Sequence, residues 1–316
     1  METMQLGRTD LRVAPLGVGA WAWGDKLFWQ FGKGYDRQDA HAAITTTLAA
    51  GIDFFDTAEV YGAGQSEKIL GEYLREKNPR VVLATKFLPY PWRWSSATLL
   101  PALRASLARL GLPRVDLYQV HQPLPPVAPE AWMAAMADAF DAGLTRAVGV
   151  SNYNAAWTRR AQRALQARNI PLATNQVHYS LLNRKMERDG TWEACAELGV
   201  TIIAYSPIEM GLLTGKYTPD NPPPGVRAWR YTREYLTRIQ PVIACLREIG
   251  AARGGKTPSQ VALNWTMCKG TLPIPGAKNA RQAQENAGAL GWRLSAAEVA
   301  ALDAVSATFA EKKSRG

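Results

Sequence analysis

Short apolar runs rich in β-formers alternate eight times with longer runs of helical period along this chain, which restricts it to helices packed around a parallel sheet. The runs that read as strands are residues 16–19, 52–55, 81–86, 115–121, 146–150, 173–177, 201–205 and 272–274. Helical segments fall between them at 37–50, 65–76, 97–110, 129–142, 155–168 and 191–198, followed by a longer helical region at 233–268 and another helix beginning near Ala280. Gly51, Gly111, Gly143 and Gly199 stand where a left-handed residue closes a helix before the next strand. The opening MQLGRTDLRVAPL reads as a β-hairpin that turns at Gly7-Arg8-Thr9-Asp10, ahead of the repeating units.

Eight such units in 316 residues fit an α/β fold of the (β/α)8 TIM-barrel type, which typically takes about 250 residues plus insertions. The one long interruption, 206–229, carries Pro219, Pro222, Pro223 and Pro224 and reads as an active-site loop after the seventh strand. Cutting the chain there would leave two incomplete barrels, so residues 1–316 are expected to form one domain.

Lys and Arg number 37 against 27 Asp and Glu, a formal charge of +10 that suits a polyanionic partner. The cations are scattered and no aromatic-basic RNA motif or zinc-finger spacing occurs, which favours a phosphorylated small molecule over nucleic acid. No run of 18 apolar residues is present and the first nine residues lack the apolar stretch of a signal peptide, so neither a membrane span nor export is expected. Cys195, Cys245 and Cys268 lie far apart, without a C-x-x-C pair, which points to a reducing, cytoplasmic setting. His41, His121 and His178 have no metal-ligand spacing, so no metal is expected. Nothing in the residues sets an oligomeric state.

In such barrels chemistry gathers at the C-terminal ends of strands. Asp56 follows the 52–55 run, Tyr61 lies five residues on in DTAEVYG, Lys86 ends VVLATK, and His121 ends VDLYQVH. Singly, each has an ordinary structural explanation: a helix cap, a loop ring, a solvated lysine, a core imidazole. Together, at successive strand ends, they make a proton donor. A cation at Lys86 would favour the phenolate of Tyr61, Asp56 would hold that ammonium, and His121 would donate to a substrate carbonyl oxygen.

With these residues in view the chain resembles the aldo-keto reductase superfamily, most closely its plant-plastid and bacterial members. The likeness runs through GRTDLRVAPLGVGAW, DTAEVYG, ATK, LYQVH, GVSNYN, NQVHYSLLNR, AYSPI and PIPGAKNARQAQEN. It implies a catalytic set of Asp56, Tyr61, Lys86 and His121, and NADPH-dependent reduction of an aldehyde or ketone, a small-molecule carbonyl substrate. It further implies that Ser151, Asn152 and Gln176 bond the nicotinamide amide of NADPH/NADP+, that Tyr205 stacks on its ring, that Gly211, Leu212, Gly215 and Lys216 belong to a loop crossing the pyrophosphate, and that Ser206 and Pro207 also bind the cofactor. At the adenosine end it implies Lys278, Asn279 and Gln282 near the 2′-phosphate and Glu285 and Asn286 at the adenine, with Gly276 also binding the cofactor. Some members carry Arg where Gln282 stands, and Arg281 is its neighbour. GVGAWAWGD lacks the third glycine of a dinucleotide-binding G-x-G-x-x-G, consistent with a nucleotide held this other way.

Trp21, Trp23, Trp92 and Trp94 cluster in the first and third strand-end loops and are candidates for an aromatic substrate pocket, one or two of them facing the substrate. The competing reading is a nucleotide-sensing regulatory subunit like the potassium-channel β subunits, which typically carry Asn at the position of His121.

Overall fold

The computed structural model describes residues 2–224 and 231–309. A two-stranded hairpin of β1 (Met4–Gln5) and β2 (Arg12–Val13) precedes eight parallel strands: β3 (Gly17–Gly19), β4 (Phe54–Asp56), β5 (Val82–Phe87), β6 (Val115–Val120), β7 (Thr145–Ser151), β8 (Leu172–His178), β9 (Thr201–Tyr205) and β10 (Leu272–Ile274). They pair in sequence order, and a parallel bridge between Gly19 and Gly276, with Gly19 N–H donating to Pro275 O at 3.1 Å, brings the first strand back to the last. The fold is thus the expected barrel with its N-terminal hairpin, each strand beginning and ending within two residues of its expected bounds.

The barrel interior is filled by Phe54, Ala84, Leu117, Ala147, Ala173, Ile203 and Leu272, one inward residue from each of seven strands. Leu6, Leu11 and Val13 of the hairpin join this cluster and plug the N-terminal end. The seat is close: Gly7 has φ +57°, a Cβ there would lie 2.5 Å from the carbonyl oxygen of Ala173, and its N–H donates to Thr201 Oγ1 at 2.7 Å. A second, larger core lies between the strands and the surrounding helices, where residues such as Ile44, Leu70, Leu103 and Met133 are wholly buried. The hairpin thus seals one end of the barrel with apolar side chains.

The structure resolves the C-terminal helical part more finely. The helical region 233–268 is two helices, Arg233–Ala252 and Pro258–Cys268. Gly254 and Gly255 take positive φ between them, and Thr257 caps the second helix through a capping box with Gln260 and proline in the first turn. A further helix, Ala296–Val305, started by a Ser295–Glu298 capping box, follows the one at Ala280–Ala287. Within the long loop after β9 the chain forms a short 3-10 turn at Glu209–Thr214, and the stretch 225–229 of that loop lies outside the described residues. Among the described residues no helix is long and apolar enough to cross a membrane.

Candidate active site

The four polar residues at the strand ends converge. Asp56 ends β4, Lys86 is the penultimate residue of β5, His121 follows β6, and Tyr61 opens a one-turn 3-10 segment, Tyr61–Gly64. Lys86 Nζ donates to Asp56 Oδ1, to Thr57 O at 2.9 Å and to Tyr61 Oη at 3.3 Å, using all three ammonium protons. The other carboxylate oxygen, Asp56 Oδ2, accepts from Gln119 Nε2 at 3.2 Å and Gln176 Nε2 at 2.9 Å. Asp56 and Lys86 are 1% and 0% exposed, and a buried pair of this kind is tolerable because every charged atom has a partner. The His121 ring meets Tyr61 edge-on, 5.7 Å between centroids.

Burial raises the Tyr61 phenol above its ordinary value; Lys86 pulls it down, and Asp56 pushes it up again. The expected depression by Lys86 is therefore real in sign but outweighed by desolvation, and the phenol keeps its proton. For Lys86 itself burial opposes the charge, yet the Asp56 carboxylate prevails and the ammonium is held above its usual range. Burial, reinforced by Lys86, pushes His121 down to about 3, so its imidazole is neutral. His121 Nδ1 is buried without a hydrogen-bond partner among the described residues.

Asp56, Tyr61 and His121 form part of the wall of a cavity of about 680 Å³, with Lys86 buried behind them. Asn152, Gln176 and Ser151 line it from the ends of β7 and β8, and Tyr205 from the end of β9. Tyr205 is stacked on His178 at 5.2 Å and donates to Asn152 Oδ1 at 3.0 Å. Ser206, Pro207, Gly211 and Lys216 border the cavity from the long loop, and Gly276, Lys278, Gln282, Glu285 and Asn286 from the segment after β10. Asn152, Ser206 and Met210 on this wall are non-glycine residues at positive φ (61°, 52° and 49°), strain of the kind that concentrates at functional sites.

Some residues expected at the nucleotide or the substrate stand off this wall. Leu212 is wholly buried in the core, Gly215 closes the 3-10 turn and gives its carbonyl to Arg247, and neither lines the cavity. Asn279 is also off the wall, because its side chain caps the helix Ala280–Ala287 by accepting from Gln282 N–H at 3.1 Å. Of the four tryptophans only Trp21 lines the cavity. Trp23 is 0% exposed, packed on Phe55 with its indole N–H given to Ala277 O, while Trp92 and Trp94 are 68% and 74% exposed and lie outside the wall.

Sequence reasoning missed Trp29, Gln122, Thr257 and Ser259 on the wall, and Gln119 beneath it. Trp29 shares the first strand-end loop with Trp21 and was open to the same argument. Thr257-Pro258-Ser259-Gln260 carried a capping-box signal, hidden by reading one continuous helical region. Arg281, already noted beside Gln282, is exposed on the same wall. At that end Glu285 Oε1 accepts from Ser259 Oγ at 2.9 Å and from Thr257 Oγ1. The wall thus offers amides, a backed aromatic face and a cationic end, a set that fits an elongated, phosphorylated, aromatic ligand. Among the described residues no cluster of three or more His, Cys, Asp or Glu could hold a metal ion.

The fold puts this chain among the (β/α)8-barrel proteins. The family model described as the Aldo/keto reductase family matches residues 15–307, and the chain belongs to that family, oxidoreductases that reduce carbonyl compounds. It is 41% identical over 297 residues to the chloroplastic pyridoxal reductase of Arabidopsis thaliana, covering 90% of this chain and 80% of that one. It is 34% identical over 286 residues, 84% of this chain and 82% of the other, to a Schizosaccharomyces pombe aldo-keto reductase whose name specifies NADP(+). Among solved structures, a thermostable aldo-keto reductase in complex with the inhibitor epalrestat superposes with a TM-score of 0.78 at 29% identity, covering 96% of this chain and all of that one. The glycerol dehydrogenase of Gluconobacter oxydans, TM-score 0.84 at 24% identity over 99% and 98% of the chains, bears on the fold alone.

Proposed function

We propose that this protein is an NADPH-dependent reductase of aldehydes or ketones in which Tyr61 is the general acid. The observation that carries this reading is the convergence of Asp56, Tyr61 and His121 on one cavity wall, with Lys86 buried behind it and bonded to Asp56 and Tyr61. Bound NADPH supplies the hydride for the carbonyl carbon; the chain's own residues deal with the oxygen. Tyr61 holds a proton at neutral pH and is the group able to give it to that oxygen as negative charge develops there. Lys86 stabilises the phenolate left behind, and Asp56, itself held by Gln119 and Gln176, keeps the ammonium charged and aimed. His121 is neutral, and a neutral imidazole carries one N–H, which can donate to the carbonyl oxygen.

Asn152, Gln176 and Ser151 suit a neutral carboxamide, and the Tyr205 ring, supported by His178, suits a flat nicotinamide face. Lys216 suits the pyrophosphate, while Lys278 and Arg281 near the start of the helix Ala280–Ala287 suit an additional 2′-phosphate. The S. pombe relative named for NADP(+) points the same way. Trp21 and Trp29 beside Tyr61 favour a flat aromatic carbonyl compound, in keeping with the name of the plant relative. The test is NADPH consumption with pyridoxal, 4-nitrobenzaldehyde, methylglyoxal and simple sugars. Turnover of the aromatic aldehydes, lost in Tyr61→Phe, is expected; nucleotide binding without turnover of any carbonyl would leave only a nucleotide-sensing barrel.

A further inference from the structure

The loop between β3 and the helix Arg37–Ala49 carries the two tryptophans of the cavity wall, and it is fastened to the opposite end of the chain. Trp21 and Trp29 meet edge to face at 5.5 Å, and Phe28 stacks on Trp21 at 5.1 Å and abuts Trp29 at 5.0 Å. Asp25 organises this group from within: Oδ2 accepts from Trp21 Nε1 at 3.1 Å, and Oδ1 from Phe28 and Trp29 N–H at 2.7 and 3.2 Å. From outside, Lys278 Nζ donates to the carbonyl of Trp29 at 3.1 Å and lies 5.0 Å over the Trp29 ring and 4.3 Å over that of Tyr35. Tyr35 in turn gives its hydroxyl proton to Ala22 O at 2.7 Å, and Trp23 Nε1 donates to Ala277 O at 2.7 Å, next to Lys278 in the chain. The first and last strands meet at Gly19 and Gly276, so the loops leaving them run side by side and these bonds stitch them together.

We propose that Lys278 is a positioning residue for the carbonyl substrate: its ammonium latches the Trp21–Phe28–Trp29 cluster, two of whose rings line the cavity, and so shapes the pocket beside Tyr61. The inference rests on the reductase reading for its kinetic consequence, but the latch itself is a property of the ligand-free protein. A charge-assisted bond to a carbonyl together with two cation–π contacts gives one side chain enough hold on a short loop to set its local opening. A lysine serving only a nucleotide phosphate has no need of those three contacts. Replacing it with methionine keeps the apolar stem and removes the charge. Replacing it with arginine keeps the charge and the capacity to stack.

Hydrogen–deuterium exchange on ligand-free protein tests the latch. In Lys278→Met the amides of Phe28, Trp29, Phe31 and Gly32 should exchange about 10- to 100-fold faster, the range given by loss of a hydrogen bond to a charged group, and Lys278→Arg should restore most of the protection. Tyr35→Leu, which leaves Lys278 untouched, should accelerate the same amides by less. At saturating nucleotide, Lys278→Met should raise KM for an aromatic aldehyde by a larger factor than it changes kcat. Exchange in Lys278→Met that matches wild type, or that quickens uniformly around the barrel, would overturn the latch. A wild-type protein that reduces no carbonyl would sink the reductase reading and leave the exchange result standing.

Discussion

Lys86 Nζ stands 3.3 Å from Tyr61 Oη while its other two protons are committed to Asp56 and to the carbonyl of Thr57, so ammonium, phenol and carboxylate behave as one unit. If Tyr61 is the general acid, Tyr61→Phe should slow carbonyl reduction by about 10²–10⁴-fold, with NADPH affinity nearly unchanged. Stopped-flow reduction with a fluorescence titration of nucleotide checks both halves. Near-normal turnover in the folded variant would remove Tyr61 from the mechanism.

Lys86→Met leaves a buried carboxylate at Asp56 with no counter-charge and should destabilise the protein by about 3–5 kcal/mol. Lys86→Met combined with Asp56→Asn removes both charges and should be markedly more stable than the single variant, though equally inactive. Urea denaturation of the two variants beside wild type gives the comparison. If the double variant is the less stable of the two, the pair is not acting through its charge.

The shift of His121 sets a pH dependence of stability. Its pKa lies at about 3 in the fold against an ordinary 6.5, so between those values the unfolded chain binds a proton that the folded protein refuses. Its contribution is whole above 6.5 and is lost as pH falls from there towards 3. In His121→Gln this part is absent, so the stability of wild type relative to the variant should decline with falling pH across that window. Urea midpoints measured along it decide; parallel curves would mean that His121 titrates normally. Because Tyr61 is raised, reduction should show no inflection from this phenol near neutrality and should lose the acid only above the ordinary tyrosine value of 10.0.

Arg281 is exposed at the cavity wall near the start of the helix Ala280–Ala287. Arg281→Ala should weaken NADPH by about 1.5–3 kcal/mol, as for a hydrogen bond to a charged group, and change NADH little. Titration of both nucleotides at fixed ionic strength separates contact from long-range attraction. Equal losses for the two would place Arg281 away from the 2′-phosphate.

At the far end of the barrel, Leu11→Ala in the hairpin plug should destabilise by about 2–5 kcal/mol through loss of buried area and the cavity left behind. Carbonyl turnover by the folded fraction should not change, since the plug seals the end opposite the strand termini that carry Asp56 and Lys86. A kcat that falls in step with stability would show that the two ends are coupled.

Much of this was readable in one dimension. Strand and helix periods, closing glycines and the polar residues ending apolar runs are local signals, and they place eight strands, the hairpin, and Asp56, Tyr61, Lys86 and His121 at one mouth. The break at Gly254-Gly255 and the capping box at Thr257 are also local signals, masked in the sequence by a strong helical pattern on both sides.

Other features depend on residues distant in sequence. Trp21 and Trp23 stand two apart in a loop without period, and only packing against Phe55 and Ala277 sends the second into the core while the first faces the cavity. Asp56 is held by Gln119 and Gln176, and Trp29 by Lys278, across separations of 63, 120 and 249 positions. The protonation of Tyr61 belongs to the same group, because adjacency to a lysine speaks for ionisation while burial decides against it. Backbone periodicity is set by neighbours a few residues away; the direction of a loop side chain and the dielectric around a charge are set by what the closed barrel brings against them.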